Sequence, residues 1–385
     1  MPVAALPRRP LLALLAACLL AAPGLAQEIS FRDYDPPSTL KVPEHPVTRA
    51  KYPFIDIHNH QPDMPTQDLA PVVAAMDRLN MAVMNNLSGR GFRDLKDANG
   101  KAIGYGVMPG DYLKRALANA AKNAPGRFTN FTNVEFEGIG SPGWTERAVK
   151  QLEEDVQAGA AGLKVYKNLG MDIRDTAGKR VAVDDPRLDP IWEKCGELHV
   201  PVLIHTADPF QFWQAKDKNN ERLYELMEIP GRYRDPAGNP PFEQLLTEQH
   251  NVFRKHPHTE FIAAHLDWMG NDLGRLGKLL DELPNVSTEI GAVLAELGRQ
   301  PRFAREFLVK YQDRVLMGKD SWEPKEYETY FRVLETADEY FPYYRRRHAF
   351  WRIYGLALPD DVLKKVYYKN ALRLLPGIDK SRFPE

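Results

Sequence analysis

The chain has 385 residues, 43% hydrophobic and 27% charged, with a formal net charge of -1. That length supports a large buried core, and the near-neutral balance gives no electrostatic case for nucleic acid or an acidic membrane surface as a partner. Its two cysteines are Cys18 and Cys195, and Cys18 falls in the leader, so the mature chain cannot form an internal disulfide.

The first residues read as an export signal. Arg8 and Arg9 form a basic end, and Leu11 to Ala22 is an apolar stretch too short for a bilayer span. Gly24-Leu25-Ala26 then supplies small residues ahead of a cleavage point before Gln27. Residues 1–26 are read as a signal peptide and the mature protein as periplasmic or secreted. Leu15-Ala16-Ala17-Cys18 matches a lipoprotein box, but the residues after Cys18 stay apolar, which disfavours anchoring there. Arg8-Arg9 is a loose twin-arginine match. No later segment is long and apolar enough to cross a membrane. Residues 27–50 are polar, Pro-rich and without periodicity, an extended segment before a single domain spanning 51–378.

The first strand, Phe54 to His58, leads into His58-Asn59-His60. Alternate side chains of a strand share a face, so this pair puts two imidazoles on one side at the carboxyl end, where parallel α/β folds assemble their sites. A metal site and two histidines that merely share a face are both consistent with the pair alone. A helix from about Gln67 to Asn80 follows, with Leu69, Val72, Val73, Met76 and Leu79 at helical spacing. Strand two is Ala82 to Leu87, then a Gly-rich loop with Arg90 and Arg93. Pro109-Gly110-Asp111 opens an Ala-rich helix.

Strand three is Phe128 to Glu135, Thr145 caps a helix ending near Ala158, and strand four is Gly162 to Lys167. A helix from Pro190 to Leu198 leads into strand five, Val200 to His205. After a long insertion, a helix around Phe242 to Lys255 leads into strand six, Phe261 to His265. Leu273 to Leu283 is helical, Val286 to Ile290 is strand seven, and a helix around Phe303 to Tyr311 precedes strand eight, Arg314 to Asp320.

Four of these strands finish on His58, His205, His265 and Asp320, each able to bind a divalent cation or move a proton. The other histidines scatter: His45 in the leader segment, His199 before strand five, His250, His256 and His258 near a polar helix end, and His348 in an Arg-rich stretch. Strands alternating with helices imply a parallel sheet. The first, fifth, sixth and eighth strand ends converge only if that sheet closes, so the fold class is α/β, a (β/α)8 barrel. Three connections, Ser88 to Pro109, Thr206 to Pro241 and the one after Asp320, exceed simple crossovers. They carry Phe210, Phe212 and Trp213, then Lys216, Lys218 and Arg222, and Trp322 through the run Arg345-Arg346-Arg347. They are read either as a lid giving an aromatic, partly cationic pocket for an anionic small molecule, or as loop packing or a homodimer interface.

Phe54-Ile55-Asp56-Ile57-His58-Asn59-His60, Val202-Leu203-Ile204-His205, Ala263-Ala264-His265 and Met317-Gly318-Lys319-Asp320, in that order, resemble the signature of the amidohydrolase superfamily. Lys369-Asn370-Ala371-Leu372-Arg373-Leu374-Leu375 is similar to the terminal helix of its amidohydrolase-related branch, which includes aminocarboxymuconate-semialdehyde decarboxylase and related hydrolases, decarboxylases and hydratases. The resemblance runs from about 53 to 377.

It implies His58, His60 and His205 as neutral imidazole ligands, Asp320 as carboxylate ligand or base, and His265 as a catalytic residue that orients water or donates to an oxyanion. Nitrogen and oxygen donors without thiolate suit one Zn²⁺ per chain, with Mn²⁺ or Fe²⁺ as alternatives. Lys164 stands where binuclear relatives carry a carbamylated lysine bridging a second metal; it also reads as a substrate contact, or as a barrel lysine paired with a carboxylate. Tyr166 and Trp213 are candidate substrate contacts. Glu289, ending strand seven, is a candidate substrate contact or second acid, against a carboxylate paired with Arg or Lys. The pattern departs from the branch at Leu266-Asp267-Trp268, where a Gly-rich turn usually follows the histidine, and at Lys319 and Ser321-Trp322 around Asp320. The expected activity is hydrolysis of a C–N or C–O bond by metal-activated water. Non-oxidative decarboxylation or hydration of an unsaturated or aromatic carboxylic acid is the alternative, and a binding protein without catalysis is a third.

Overall fold

The computed structural model describes residue 1 and residues 29–30, 33–96, 102–348 and 352–384. Apart from Met1, the expected signal peptide, Cys18 included, lies outside the described residues. The chain divides into two compact units, Met1–Lys41 and Val42–Glu385. In the first, Asp33 N and Tyr34 N donate to Ser30 O, forming a turn.

The second unit is built on parallel strands. β1 (Phe54–Asn59), β2 (Met81–Asn86) and β3 (Phe128–Asn130) form one arc. β4 (Leu163–Val165), β5 (Val202–Ile204), β6 (Phe261–Ala263), β7 (Val286–Glu289) and β8 (Val315–Leu316) form the other, each paired with its sequence neighbour. Hydrogen bonds cross both seams. Thr132 N donates to Gly162 O at 2.8 Å and Lys164 N to Thr132 O at 2.8 Å, joining β3 to β4. Ile57 N donates to Met317 O at 3.0 Å and Asp320 N to His58 O at 2.6 Å, joining β1 to the chain just beyond β8. The arcs therefore make one ring, a (β/α)8 barrel.

Helices α1 (Ala70–Leu79), α2 (Tyr112–Asn123), α3 (Trp144–Gln157), α4 (Asp189–Glu197), α5 (Phe242–Lys255), α6 (Leu273–Glu282) and α7 (Pro301–Lys310) follow successive strands. Each offers one apolar stripe to the barrel; α6, for example, buries Leu273, Leu276, Leu279 and Leu280. The last helix runs from Asp360 to Leu374 through one π-helical stretch, Lys365–Lys369. It locks under β8: Asn370 Nδ2 donates to Gln312 O and Val315 O, and Met317 N donates to Val366 O. Strands β4 to β8 are buried on both faces, which is why β5, β6 and β8 read as continuous apolar runs rather than alternating ones.

Several ladders end earlier than the apolar runs suggest. Strand three stops at Asn130 rather than Glu135, and strand eight at Leu316 rather than Asp320. Beyond the ladders the backbone turns through left-handed conformations at Ala207, His265 to Trp268, Ala292 and Asp320. The expected Gly-rich loop after β2 is an antiparallel hairpin, Phe92–Lys96 with Ala102–Val107. The insertion after β5 holds a short helix, Leu223–Glu228, and the one after β8 a longer helix, Tyr327–Glu335. Residues from 42 onward belong with the barrel unit: Ala50 N donates to Leu79 O, and His45 Nδ1 lies 2.6 Å from Asp338 Oδ1.

Candidate metal centre

The pleat of β1 places His58 inside the ring and fully buried. Its Nδ1 lies 2.9 Å from Glu289 Oε1 on β7, and its Nε2 3.3 Å from Asp320 Oδ1. His60 Nε2 is 3.7 Å from the same Asp320 oxygen, and its ring stacks on Tyr166 with centroids 6.0 Å apart. The His265 ring is 4.8 Å from that of His58 and 4.5 Å from that of His205. One donor atom each from His58, His265 and Asp320 lie within 4.8 Å of one another.

The five residues expected from strand ends thus gather at one end of the barrel, but their ranking differs from expectation. His265 joins His58 and Asp320 in the tightest group, while His205 Nε2 donates to Ala207 O at 3.1 Å. The backbone at His265 is left-handed, and its ring lies among those of His58, His205 and Trp268.

Protonation follows from burial and neighbours. Burial, then the neighbouring His58, push His60 down to about 3. Burial pushes His265 down to about 4 and His205 well below the usual imidazole value. His58 is pushed down by burial and Lys164, but Glu289 and Asp320 outweigh them and raise it. Burial alone would raise both carboxylates; the facing imidazoles instead hold Glu289 at about 2 and Asp320 well below the ordinary range. Most of the imidazoles are therefore neutral, with lone pairs available, beside an ionised carboxylate: the state in which such groups bind a cation.

The donor set fits a divalent metal. His58 Nε2 and His60 Nδ1 are buried without a hydrogen-bond partner among the described residues. Glu289 accepts the Nδ1 proton of His58, which leaves the Nε2 lone pair facing Asp320, the carboxylate–histidine pattern of metal sites. His58, His265 and Asp320, with His60 and His205 beside them, would hold the ion.

Glu289 is fully buried, and its oxygens accept from His58, from His265 N and from Gly291 N, so its partners are an imidazole and two backbone amides rather than the Arg or Lys of the alternative reading. Trp213 is corrected from its expected role: its Nε1 donates to Pro240 O and its ring packs on Phe242, because the insertion folds back on α5. Tyr166 donates to Leu87 O at 2.6 Å, beside His60. Lys164 Nζ is buried without a hydrogen-bond partner among the described residues, 5.4 Å from the Tyr166 ring centre, and burial lowers it to about 8.

A cavity of about 110 Å³ opens onto the centre, and His205, His265 and Asp320 line it. Phe212 and Trp268 give it aromatic surface; Lys167, Arg222, Arg232 and Arg345 bring positive charge, with Glu225 pairing Arg222 and Arg232. Asp208, also in its wall, bonds Lys167 Nζ at 2.5 Å and Arg234 Nε at 3.0 Å. Trp268, Asp208 and the role of Arg345 were missed from sequence. So was Asp56, which accepts from His58 N, Lys319 N, Asn59 and Tyr327 and ties the ends of β1 and β8 together. Its place two residues before His58, on the same strand face, was a readable signal.

The chain belongs to the amidohydrolase family, whose model matches residues 55–377. It is therefore an enzyme of the metal-dependent hydrolase and carboxy-lyase kind. No curated protein matches it. Among solved structures it resembles a dihydroxybenzoic acid decarboxylase from Polaromonas sp. JS666 at 14% identity and TM-score 0.52, covering 84% of this chain and 96% of that one. A Staphylococcus aureus protein described as an amidohydrolase matches at 16% identity and TM-score 0.50, over 84% and 99%. 4-Oxalomesaconate hydratase from Rhodopseudomonas palustris matches at 15% identity and TM-score 0.48, over 84% and 95%. At these identities the likeness concerns the barrel fold.

Proposed function

We propose that the protein is a divalent-metal-dependent lyase that decarboxylates, without oxidation, or hydrates a small aromatic or unsaturated carboxylic acid. The observation that carries this reading is the cavity itself. At about 110 Å³ it suits a compact molecule, and His205, His265 and Asp320 line it. Although Asp208 pairs Lys167 and Glu225 pairs Arg232, the cations of its wall (Lys167, Arg222, Arg232, Arg345) outnumber its carboxylates (Asp208, Glu225, Asp320) and so favour an anion. The Polaromonas decarboxylase of similar fold holds manganese and the inhibitor 2-nitroresorcinol, a planar phenol, which is in keeping with such a substrate.

A bound divalent cation would supply a Lewis acid for a substrate oxygen. The chain's own groups do the rest. Arg345, its Nη2 braced on Ser321 Oγ at 2.6 Å, and Lys167 orient the anion. Asp320, one-third exposed and held as a carboxylate, takes a proton from solvent and delivers it to the ring or alkene carbon as the C–C bond to the leaving carboxylate breaks. The electron pair of that bond stays on the carbon that takes the proton, and carbon dioxide leaves. Trp268 and Phe212 limit water in the cavity.

Hydrolysis is the second reading, because an ionised Asp320, itself among the residues that would hold the metal, equally suits deprotonation of an attacking water. The experiment that separates them is product analysis. Protein stripped with chelator and reloaded with Mn²⁺ or Zn²⁺ is incubated with hydroxybenzoates, unsaturated dicarboxylates, amides and lactones. Carbon dioxide or a hydrated acid is expected; ammonia or an opened lactone without carbon dioxide overturns the lyase reading. We also propose export, tested by whether the mature protein recovered outside the cytoplasm begins at Gln27.

A further inference from the structure

The turn after β6 does something its sequence makes costly. His265, Leu266, Asp267 and Trp268 take φ values of 60°, 53°, 54° and 50°, four successive non-glycine residues in the left-handed region. Side chains there collide with their own backbone, so such a run persists only where the surroundings over-determine it. Two anchors do so. At the start, His265 N donates to Glu289 Oε1 at 2.6 Å and His265 Nδ1 to Gly291 O at 2.8 Å. In the middle, the buried Asp267 carboxylate is gripped from α5: Gln249 Nε2 donates to Oδ1, and His250 Nε2 lies 2.6 Å from Oδ2.

The result of the turn is the placement of Trp268. Its ring lies 4.5 Å from that of His265 and 5.6 Å from that of His205, and it lines the cavity. Its indole N–H is buried without a partner among the described residues, a donor left over for an acceptor on a ligand.

We propose that Asp267 is a positioning residue: with Gln249 and His250 it locks the His265–Trp268 turn in its left-handed form, and so sets Trp268 as the wall on which a planar anionic substrate stacks. The choice of a planar ligand rests on the lyase reading above; the clamp does not. A flexible Gly-rich turn at this point would leave the wall adjustable, whereas a clamped tryptophan fixes the cavity's width and selects flat rings over branched or saturated acids.

The test uses the full chain loaded with one equivalent of Mn²⁺ and 2-nitroresorcinol as an absorbing planar probe. Trp268→Leu is expected to weaken probe binding about three- to tenfold, the range of an aromatic stacking contact, with manganese content unchanged. Asp267→Ala is expected to show the same weakening with manganese retained, and Asp267→Asn, which keeps an acceptor for Gln249, to recover most of it. Wild-type probe affinity in Asp267→Ala overturns the proposal, as does joint loss of manganese and thermal stability that Asp267→Asn does not relieve, since that pattern marks a merely structural contact. If the wild type binds no probe, the substrate reading fails. The clamp is then judged by amide hydrogen exchange: faster exchange over 264–269 in Asp267→Ala, with 54–60 unchanged, supports it, and unchanged exchange over 264–269 sinks it.

Discussion

Glu289 shows how much one buried carboxylate can decide. It fixes the His58 tautomer and holds the backbone of His265 and Gly291, so Glu289→Gln is expected to lower metal affinity about 10- to 100-fold, read by chelator competition, while the barrel stays folded. Lys164 has no carboxylate within hydrogen-bonding distance among the described residues, and the tight donor group has three members. One metal equivalent per chain is therefore expected, with the same content in Lys164→Met, measured by elemental analysis; two equivalents in the wild type, falling to one in the variant, would establish a bridge instead. His58, His60, His205, His265 and Asp320 were legible in the sequence because each closes an apolar run or follows it at once. Asp56 and Asp267 were not singled out, since the partners that reveal their work, Tyr327 and His250, lie on other elements and only tertiary packing brings them near.

At the scale of elements, the site depends on how closely β1, β7 and the chain beyond β8 approach. A Cβ on Gly318 would lie 2.4 Å from Glu289 Oε2 and 3.1 Å from His58 Cβ. Gly318→Ala is therefore expected to displace both residues, destabilising the protein by about 1–3 kcal/mol in denaturant titration and abolishing tight metal binding. Order and alternation of strands and helices were readable from apolar runs and helical spacing. Strand lengths were not, because apolar residues continue past the last ladder bond into turns such as Ala264 to Asp267, where burial persists without pairing. The hairpin after β2 was hidden because its strands alternate weakly and the second carries two glycines, Gly104 and Gly106.

For the whole molecule, acid stability has a definite sign. Burial alone would raise Asp208 and Glu248, but Lys167 and Arg234 around the first, and Arg180 around the second, hold both below their ordinary values. A carboxylate depressed in the folded state contributes fully above its unfolded value, about 4. That contribution is lost as pH falls through the lower folded value. Melting temperature is accordingly expected to fall as pH drops below about 4, and Asp208→Asn to flatten that fall. Chelation should act separately at neutral pH. An ion present at 100 times its dissociation constant stabilises by about 2.7 kcal/mol, so stripping it should lower the melting temperature until metal is restored.

The seam between β1 and the segment after β8 has one more consequence. It unites histidines encoded near the start of the barrel with an aspartate encoded some 260 residues later, counting from His58 to Asp320. While the polypeptide is still emerging from the ribosome, it owns only half of the cup. Any fragment that stops short of Asp320 lacks the one oxygen donor of the group, however well its earlier strands have folded. Completion of the donor group is thereby postponed until synthesis is nearly finished, and a truncated product is left with imidazoles alone.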